Sequence, residues 1–69
     1  MEFTIQYFGA FDAMLYMERV EADEMLDALE RARTVIKEPP ELEGDPQPIG
    51  YVILDSRGRQ VARGYRRRP

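Results

Sequence analysis

One stretch of this 69-residue chain, ADEMLDALERARTVIKEPP, has the apolar spacing of an amphipathic helix. Asp23 is a suitable N-cap, and Pro39 disfavours helical geometry at Glu38 and so ends the element. The opposite side is charged, with Asp27 and Arg31 spaced for an i,i+4 ion pair. The apolar stripe, widened by Leu26, consists of Met25, Ala28, Leu29, Ala32, Val35 and Ile36. A helix with one apolar side has to pack on another apolar surface, which the rest of the chain must supply.

The segment before the helix has the period of a β-hairpin. Phe3, Ile5 and Tyr7 alternate with polar residues, as in a half-buried strand. Residues 9–12 are a plausible turn, and residues 13–20 are interpreted as the returning strand. A helix over residues 11–18 competes with this interpretation, because Met, Leu and Ala favour helices. Strand is favoured, because Asp23 then supplies a fresh helix start downstream.

The segment after the helix predicts a loop and a second hairpin. Residues 38–48, EPPELEGDPQP, hold four prolines and four acids and cannot propagate a helix or join a sheet. Residues 49–65 then form two strands around a D-x-x-G turn at Asp55–Gly58, and residues 66–69 are a basic tail. The predicted fold class is α+β. A single small domain over residues 1–69, in the order ββαββ, has a four-stranded antiparallel sheet with one helix packed on one face.

One helix covers only one face of a four-stranded sheet, yet two strands are apolar on both sides. MLYM at 14–17 and YVIL at 51–54 have this character, and Phe8 is out of phase with Phe3, Ile5 and Tyr7. An uncovered apolar face usually marks an interface, here that of a homodimer or of a different protein partner. The alternative is that these side chains fill the small core. The predicted apolar interface residues are Phe8, Met14, Tyr16 and Tyr51.

Charge is divided unequally along the chain. Residues 1–48 hold twelve acids and four bases, a net charge of −8, and residues 49–69 hold six arginines and one acid, a net charge of +5. The predicted acidic contact surface consists of Glu24, Asp27, Glu30, Glu41, Glu43 and Asp45. The predicted basic patch consists of Arg57, Arg59, Arg63, Arg66, Arg67 and Arg68. Such asymmetry bears on partners and not on the fold.

Residue types argue against catalysis. The chain has no His and no Cys, and Ser56 is its only serine, which excludes Ser–His and Cys–His chemistry within the chain. Carboxylates are numerous, but most lie on the predicted helix exterior or in the proline-rich loop. We therefore expect no enzyme, no cofactor and no metal. No apolar run approaches a membrane span, and the start MEFTIQYF lacks the basic residues of a signal peptide. We expect a cytoplasmic protein and, from the initiator Met, a complete small gene product.

Two function classes follow from these features. The first is a non-enzymatic protein-binding module that docks its acidic surface on a basic, nucleic-acid-handling protein complex. The alternative is a small nucleic-acid-binding protein that uses the arginines and tyrosines of its C-terminal hairpin and tail. The isoelectric point of 4.9 weighs against the alternative, since nucleic-acid-binding domains are usually basic.

Two stretches together, VEADEMLDALERARTVI and YVILDSRGRQVARG, resemble small ββαββ proteins of bacteria and their phages. The resemblance covers residues 18–65, is carried by structural motifs, and implies no catalytic or ligand residue. In size and acidity the chain is also similar to phage-encoded inhibitors of host defence such as anti-CRISPR proteins. That similarity implies an inhibitor acting by protein contact.

Overall fold

The computed structural model describes residues 1–37 and 48–65. Strand β1 (Glu2–Phe8) is followed by a short 3₁₀ turn (Ala10–Asp12) and strand β2 (Met14–Glu21). Helix α1 (Met25–Lys37) then leads to strands β3 (Gly50–Leu54) and β4 (Gln60–Tyr65). The predicted ββαββ order is confirmed, and residues 14–21 form a strand and not a helix. Within the described ranges, no helix is long and apolar enough to cross a membrane.

The four strands form one antiparallel sheet in the order β2-β1-β3-β4. Each hairpin contributes one central and one edge strand, and β1 pairs with β3 in the middle. Direct partners across the sheet point to the same face. Tyr7, for example, lies opposite Tyr16 on one side and Tyr51 on the other. Since the alternation of β1 is unambiguous, it fixes which face every neighbouring side chain occupies.

The core lies between helix α1 and one face of the sheet. Ala28 and Ala32 are fully buried, and their small side chains let the helix approach the strands closely. Leu29 is partly buried against the core, whereas Met25 and Leu26 are exposed, so the predicted apolar stripe faces the sheet only from Ala28 onward. The buried apolar residues are Phe3, Ile5, Tyr7, Ala22, Ala28, Ala32, Val35, Ile36, Tyr51 and Ile53.

The second hairpin turns as the sequence predicts. Gly58 adopts a positive φ of 80°, which glycine accepts without steric cost, and its N–H donates to the Asp55 carbonyl at 3.0 Å. The Asp55 carboxylate accepts the backbone N–H groups of Arg57 and Arg59, both at 2.9 Å. These N–H donors, that of Arg59 foremost, hold the pKa of the Asp55 carboxyl below its ordinary value of 3.8.

Helix α1 departs from its prediction at two charged positions. It begins at Met25, so Glu24 and not Asp23 directly precedes it. Arg31 does not pair with Asp27 one helical turn away; its guanidinium reaches across to Glu18 of strand β2. The predicted i,i+4 pair is therefore wrong. The tertiary pair is bidentate and also engages a buried hydroxyl, whereas a surface pair along a helix adds only a few tenths of a kcal/mol.

Candidate functional site

The face of the sheet turned away from helix α1 carries a row of apolar side chains at one end. The strand register places Met14, Phe8, Gly50 and Tyr65 side by side, and Met17, Gln6, Val52 and Arg63 in the next row. Arg19, Thr4, Leu54 and Gln60 form a third, more polar row. We call the surface formed by these three rows the open face. Met14, Met17 and Tyr65 are exposed, and Phe8, Val52 and Leu54 are half-buried.

Phe11 lies beyond the sheet, at the end where the apolar row of the open face is found. It lies in the turn between β1 and β2, and its side chain is fully exposed, at 102%. Its φ of 61° and that of Asp12, 58°, are in the left-handed region, which costs a non-glycine residue about 1–2 kcal/mol. A fully exposed aromatic side chain held in such a conformation is a candidate anchor for a partner surface.

Two of the four predicted apolar interface residues lie on the open face. Phe8 and Met14 are there, side by side. Tyr16 and Tyr51 are not: both share the helix-covered face with Tyr7, where Tyr51 is buried in the core and Tyr16 packs against it. Their assignment to an exposed interface is wrong, because in runs such as MLYM and YVIL the apolar pattern does not specify a face, and only pairing with β1 does.

The acidic surface is exposed where the structure describes it. Glu24, Asp27 and Glu30 lie exposed in and just before helix α1, on the side of the molecule opposite the open face. Within the described part of the chain, none of the three takes part in a salt bridge. Glu41, Glu43 and Asp45 lie outside the described residues.

The predicted basic patch is spread along the second hairpin. Arg57 and Arg59 are exposed in the turn, and Arg63 lies farther along β4, opposite Val52. Arg66, Arg67 and Arg68 lie outside the described residues. Instead, Arg63 lines a cavity together with Arg33 and Lys37 of helix α1. The grouping was not predicted from the sequence, because Arg33 and Lys37 lie about thirty positions before Arg63 in the chain.

Tyr7, Glu18 and Arg31 form a network at the edge of the core. The buried Tyr7 hydroxyl donates to Glu18 Oε1 at 2.8 Å, and Arg31 Nε donates to the same oxygen at 2.9 Å. A second guanidinium nitrogen of Arg31 donates to Glu18 Oε2 at 3.2 Å. The Tyr7 and Tyr16 rings lie 4.8 Å apart between centroids. Each of the three side chains has a hydrogen-bond partner within the network, which indicates a stabilising role.

The network shifts the pKa of all three members, and the hydrogen bond to Glu18 raises that of Arg31. The Arg31 guanidinium, and to a smaller extent the Tyr7 hydroxyl, hold the pKa of the Glu18 carboxyl below its ordinary value of 4.5, against the opposing effect of partial burial. Burial, reinforced by the adjacent Glu18 carboxylate, raises the pKa of Tyr7 well above its ordinary value of 10.0. Glu18 is therefore ionised and Tyr7 protonated over the whole neutral range.

This predicts a component of acid sensitivity that Glu18→Gln removes. A lowered folded-state pKa contributes stability above the unfolded pKa of 4.5, and that contribution is lost as the pH falls through the folded value. Urea unfolding measured from pH 7 to pH 2 should show a smaller loss of stability on the acid side for Glu18→Gln than for the natural chain. Glu30→Gln, the same change on an exposed carboxylate, is the control. It should lose as much stability on the acid side as the natural chain does. Equal acid profiles for all three proteins would contradict the assigned network.

Among residues 1–37 and 48–65, no group of three acidic, His or Cys side chains is placed to hold a metal ion. No known protein family, no curated protein and no solved structure matches this chain. The candidate surfaces are therefore identified from the geometry of this chain alone.

Proposed function

We propose that the chain is a non-enzymatic protein-binding module that associates with a second copy of itself through the open face. The observation that carries the proposal is the apolar end of this face, Met14, Phe8 and Tyr65 in one row, with the fully exposed Phe11 beyond the sheet at the same end. A four-stranded sheet with one uncovered apolar face is stabilised when a second such face covers it.

Charge favours a second copy as the occupant. The described acids of the helix surface, Glu24, Asp27 and Glu30, lie on the other side of the sheet, so that two copies meeting through their open faces keep these acids apart. The first two rows of the open face carry a single charge, that of Arg63. Arg19 of the third row forms a salt bridge with Glu2 at 3.9 Å, and Glu2 and Glu21 lie beyond that row on the same face. A chain with a net charge of −3 thus meets itself through two rows of side chains that hold no carboxylate.

The register also gives a self-complementary arrangement. Stacked sheets keep their strands nearly aligned. A two-fold axis parallel to the strands, between β1 and β3, then lays β2 of one copy over β4 of the other. Met14 of one copy meets Tyr65 of the other, and Met17 meets Arg63. The apolar ends of the two open faces meet, and no cation of one copy lies opposite a cation of the other.

The interface between two such faces is small. With four strands about 4.8 Å apart and roughly 20 Å long on each copy, it buries on the order of 800 Å² of surface in total, which is little for a specific interface. The dimer is therefore weak and concentration-dependent.

Sedimentation equilibrium from about 10 µM to 1 mM tests the proposal, with two matched variants. Met17 on the open face and Leu26 on helix α1 are equally exposed, each at 51%. Met17→Arg opposes Arg63 of the other copy and should weaken association at least tenfold, whereas Leu26→Arg should leave it unchanged. A natural chain that is monomeric at 1 mM, or equal effects of the two variants, would overturn the proposal. Circular dichroism is used to check that both variants are folded.

The acidic helix surface faces outward in this dimer. Docking of Glu24, Asp27 and Glu30 on a basic protein, as the sequence suggests, stays a prediction, as does the similarity to phage-encoded inhibitors. The docking prediction is tested by a pull-down from the source cell, with the natural chain and with a variant in which all three acids are changed to Lys. Retention of the same proteins by both would contradict a role for these acids.

A further inference from the structure

Helix α1 and edge strand β4 enclose a cleft of about 500 Å³. Arg33, Ile36 and Lys37 of the helix line one side, and Arg63, Gly64 and Tyr65 of the strand line the other, with Tyr51 between them. We call it the cationic cleft. Its volume falls in the range of small-ligand sites. Arg63 and Tyr65 of its lining also belong to the open face, so the self-association proposed above would compete with a ligand for these two residues.

Among the described residues, three positive charges and no carboxylate line the cleft, in a chain whose net charge is −3. Within the described residues, neither Arg33 nor Lys37 nor Arg63 forms a salt bridge. Arg33 and Lys37 are one helical turn apart, a spacing at which like charges repel. The helix dipole favours a cation at Lys37, but it does not explain Arg63, which comes from a different element. A bound anion would relieve the repulsion among all three.

Two tyrosines on neighbouring strands add aromatic surface to this charge. Gly50 and Gly64 each pair with the tyrosine of the other strand, so that Tyr65 lies across Gly50 and Tyr51 lies across Gly64, on opposite faces. Tyr65 is 61% exposed and offers a ring for stacking. The Tyr51 hydroxyl, at the cleft, has no hydrogen-bond partner among the described residues. It is available to donate to an anion.

We propose that the cationic cleft binds the phosphate of a nucleotide, with the base stacked on Tyr65. Arginine and lysine neutralise the phosphate, the Tyr51 hydroxyl donates to it, and an exposed aromatic ring takes the base, as in proteins that bind single-stranded nucleic acids. The nucleotide is either free or part of a single strand. Both sources present the same phosphate and base, and binding experiments separate them.

The test measures binding of a fluorescein-labelled 10-nucleotide single strand by anisotropy at 20 mM salt, and of AMP and inorganic phosphate by NMR titration. The triple variant Arg33→Gln, Lys37→Gln, Arg63→Gln should weaken binding at least tenfold. The control triple variant Arg19→Gln, Arg57→Gln, Arg59→Gln changes the net charge equally, and its effect should stay below threefold. For three phosphate contacts, the affinity for the strand should fall with salt at a logarithmic slope of about −2.

Tyr65→Ala separates stacking from charge. It should weaken binding of the strand or of AMP about tenfold and leave inorganic phosphate unchanged. Tighter binding of the strand than of AMP identifies a single strand as the source, and equal affinities identify the free nucleotide. At concentrations where the chain is monomeric, binding by Met17→Arg and by Leu26→Arg should agree, because neither residue lines the cleft. Loss of binding in the control triple variant equal to that in the cleft variant, or no binding of any probe at 20 mM salt, would overturn the proposal.

Discussion

Ile53→Ala should lower the free energy of unfolding by about 2–5 kcal/mol, the range for removing a large aliphatic side chain from a packed core. Ile53 is fully buried on central strand β3, where it faces helix α1 and lies directly opposite Ile5 of β1. A domain of this size has a total stability of roughly 3–10 kcal/mol. Urea unfolding monitored by circular dichroism should therefore show a large shift of the midpoint, and partial unfolding without denaturant at the upper end of the range.

Leu54→Ala is the matched control, because Leu54 is the next residue of the same strand. It points to the open face and is only half-buried. Leu54→Ala should lower the free energy of unfolding by no more than half the decrease caused by Ile53→Ala. A one-residue slip of a strand exchanges its two faces. If Leu54→Ala were the more destabilising change, β3 would have the opposite orientation, and the open face as defined here would be wrong.

Gly64→Ala should also be strongly destabilising, by about 1–3 kcal/mol, through overpacking. A Cβ at Gly64 would lie 2.5 Å from the Tyr51 hydroxyl oxygen and 2.6 Å from the ring carbon that carries it. Tyr51 is buried in the core, so its rigid ring has little room to move away. Either the ring or strand β4 must shift. Thermal unfolding followed by circular dichroism measures the loss.

Gly50→Ala makes a comparable clash with a more mobile ring. A Cβ there would lie 2.8 Å from the ring of Tyr65, which is largely exposed and can rotate into solvent. We expect Gly50→Ala to lower the stability less than Gly64→Ala does. An equal decrease in stability for the two variants would mean that the Tyr65 ring is held as firmly as that of Tyr51. Gly64→Ala disturbs the cationic cleft through Tyr51, whereas Gly50→Ala displaces Tyr65, which belongs to both the cleft and the open face.

Local patterns were sufficient to predict the order of the elements. The alternation of Phe3, Ile5 and Tyr7, the helical spacing from Ala28 to Ile36 and the turn at Asp55–Gly58 each depend on residues close in sequence. Such interactions are encoded within a few residues, so the sequence alone reveals them. The uncovered sheet face also followed, since one helix covers one face of a sheet.

The faces of the apolar runs could not be predicted in the same way. Tyr16 and Tyr51 lie under the helix because they are paired with Tyr7, and register between strands is a long-range property. The contact of Arg31 with Glu18 and the grouping of Arg33 and Lys37 with Arg63 are long-range as well. One signal was present in the sequence: the dipeptide Gly-Tyr occurs at 50–51 and again at 64–65, as expected for antiparallel strands whose tyrosines cover each other's glycines.

An intermolecular NOE experiment tests most directly whether the open face is a protein-contact surface. Isotope-labelled and unlabelled chains are mixed at about 1 mM, and only contacts between different copies are recorded. We expect cross-peaks between the Met14 methyl group of one copy and the Tyr65 ring of the other, and between Met17 of one copy and Arg63 of the other. Cross-peaks confined to the exposed helix residues Met25 and Leu26, or none at this concentration, would contradict self-association through the open face.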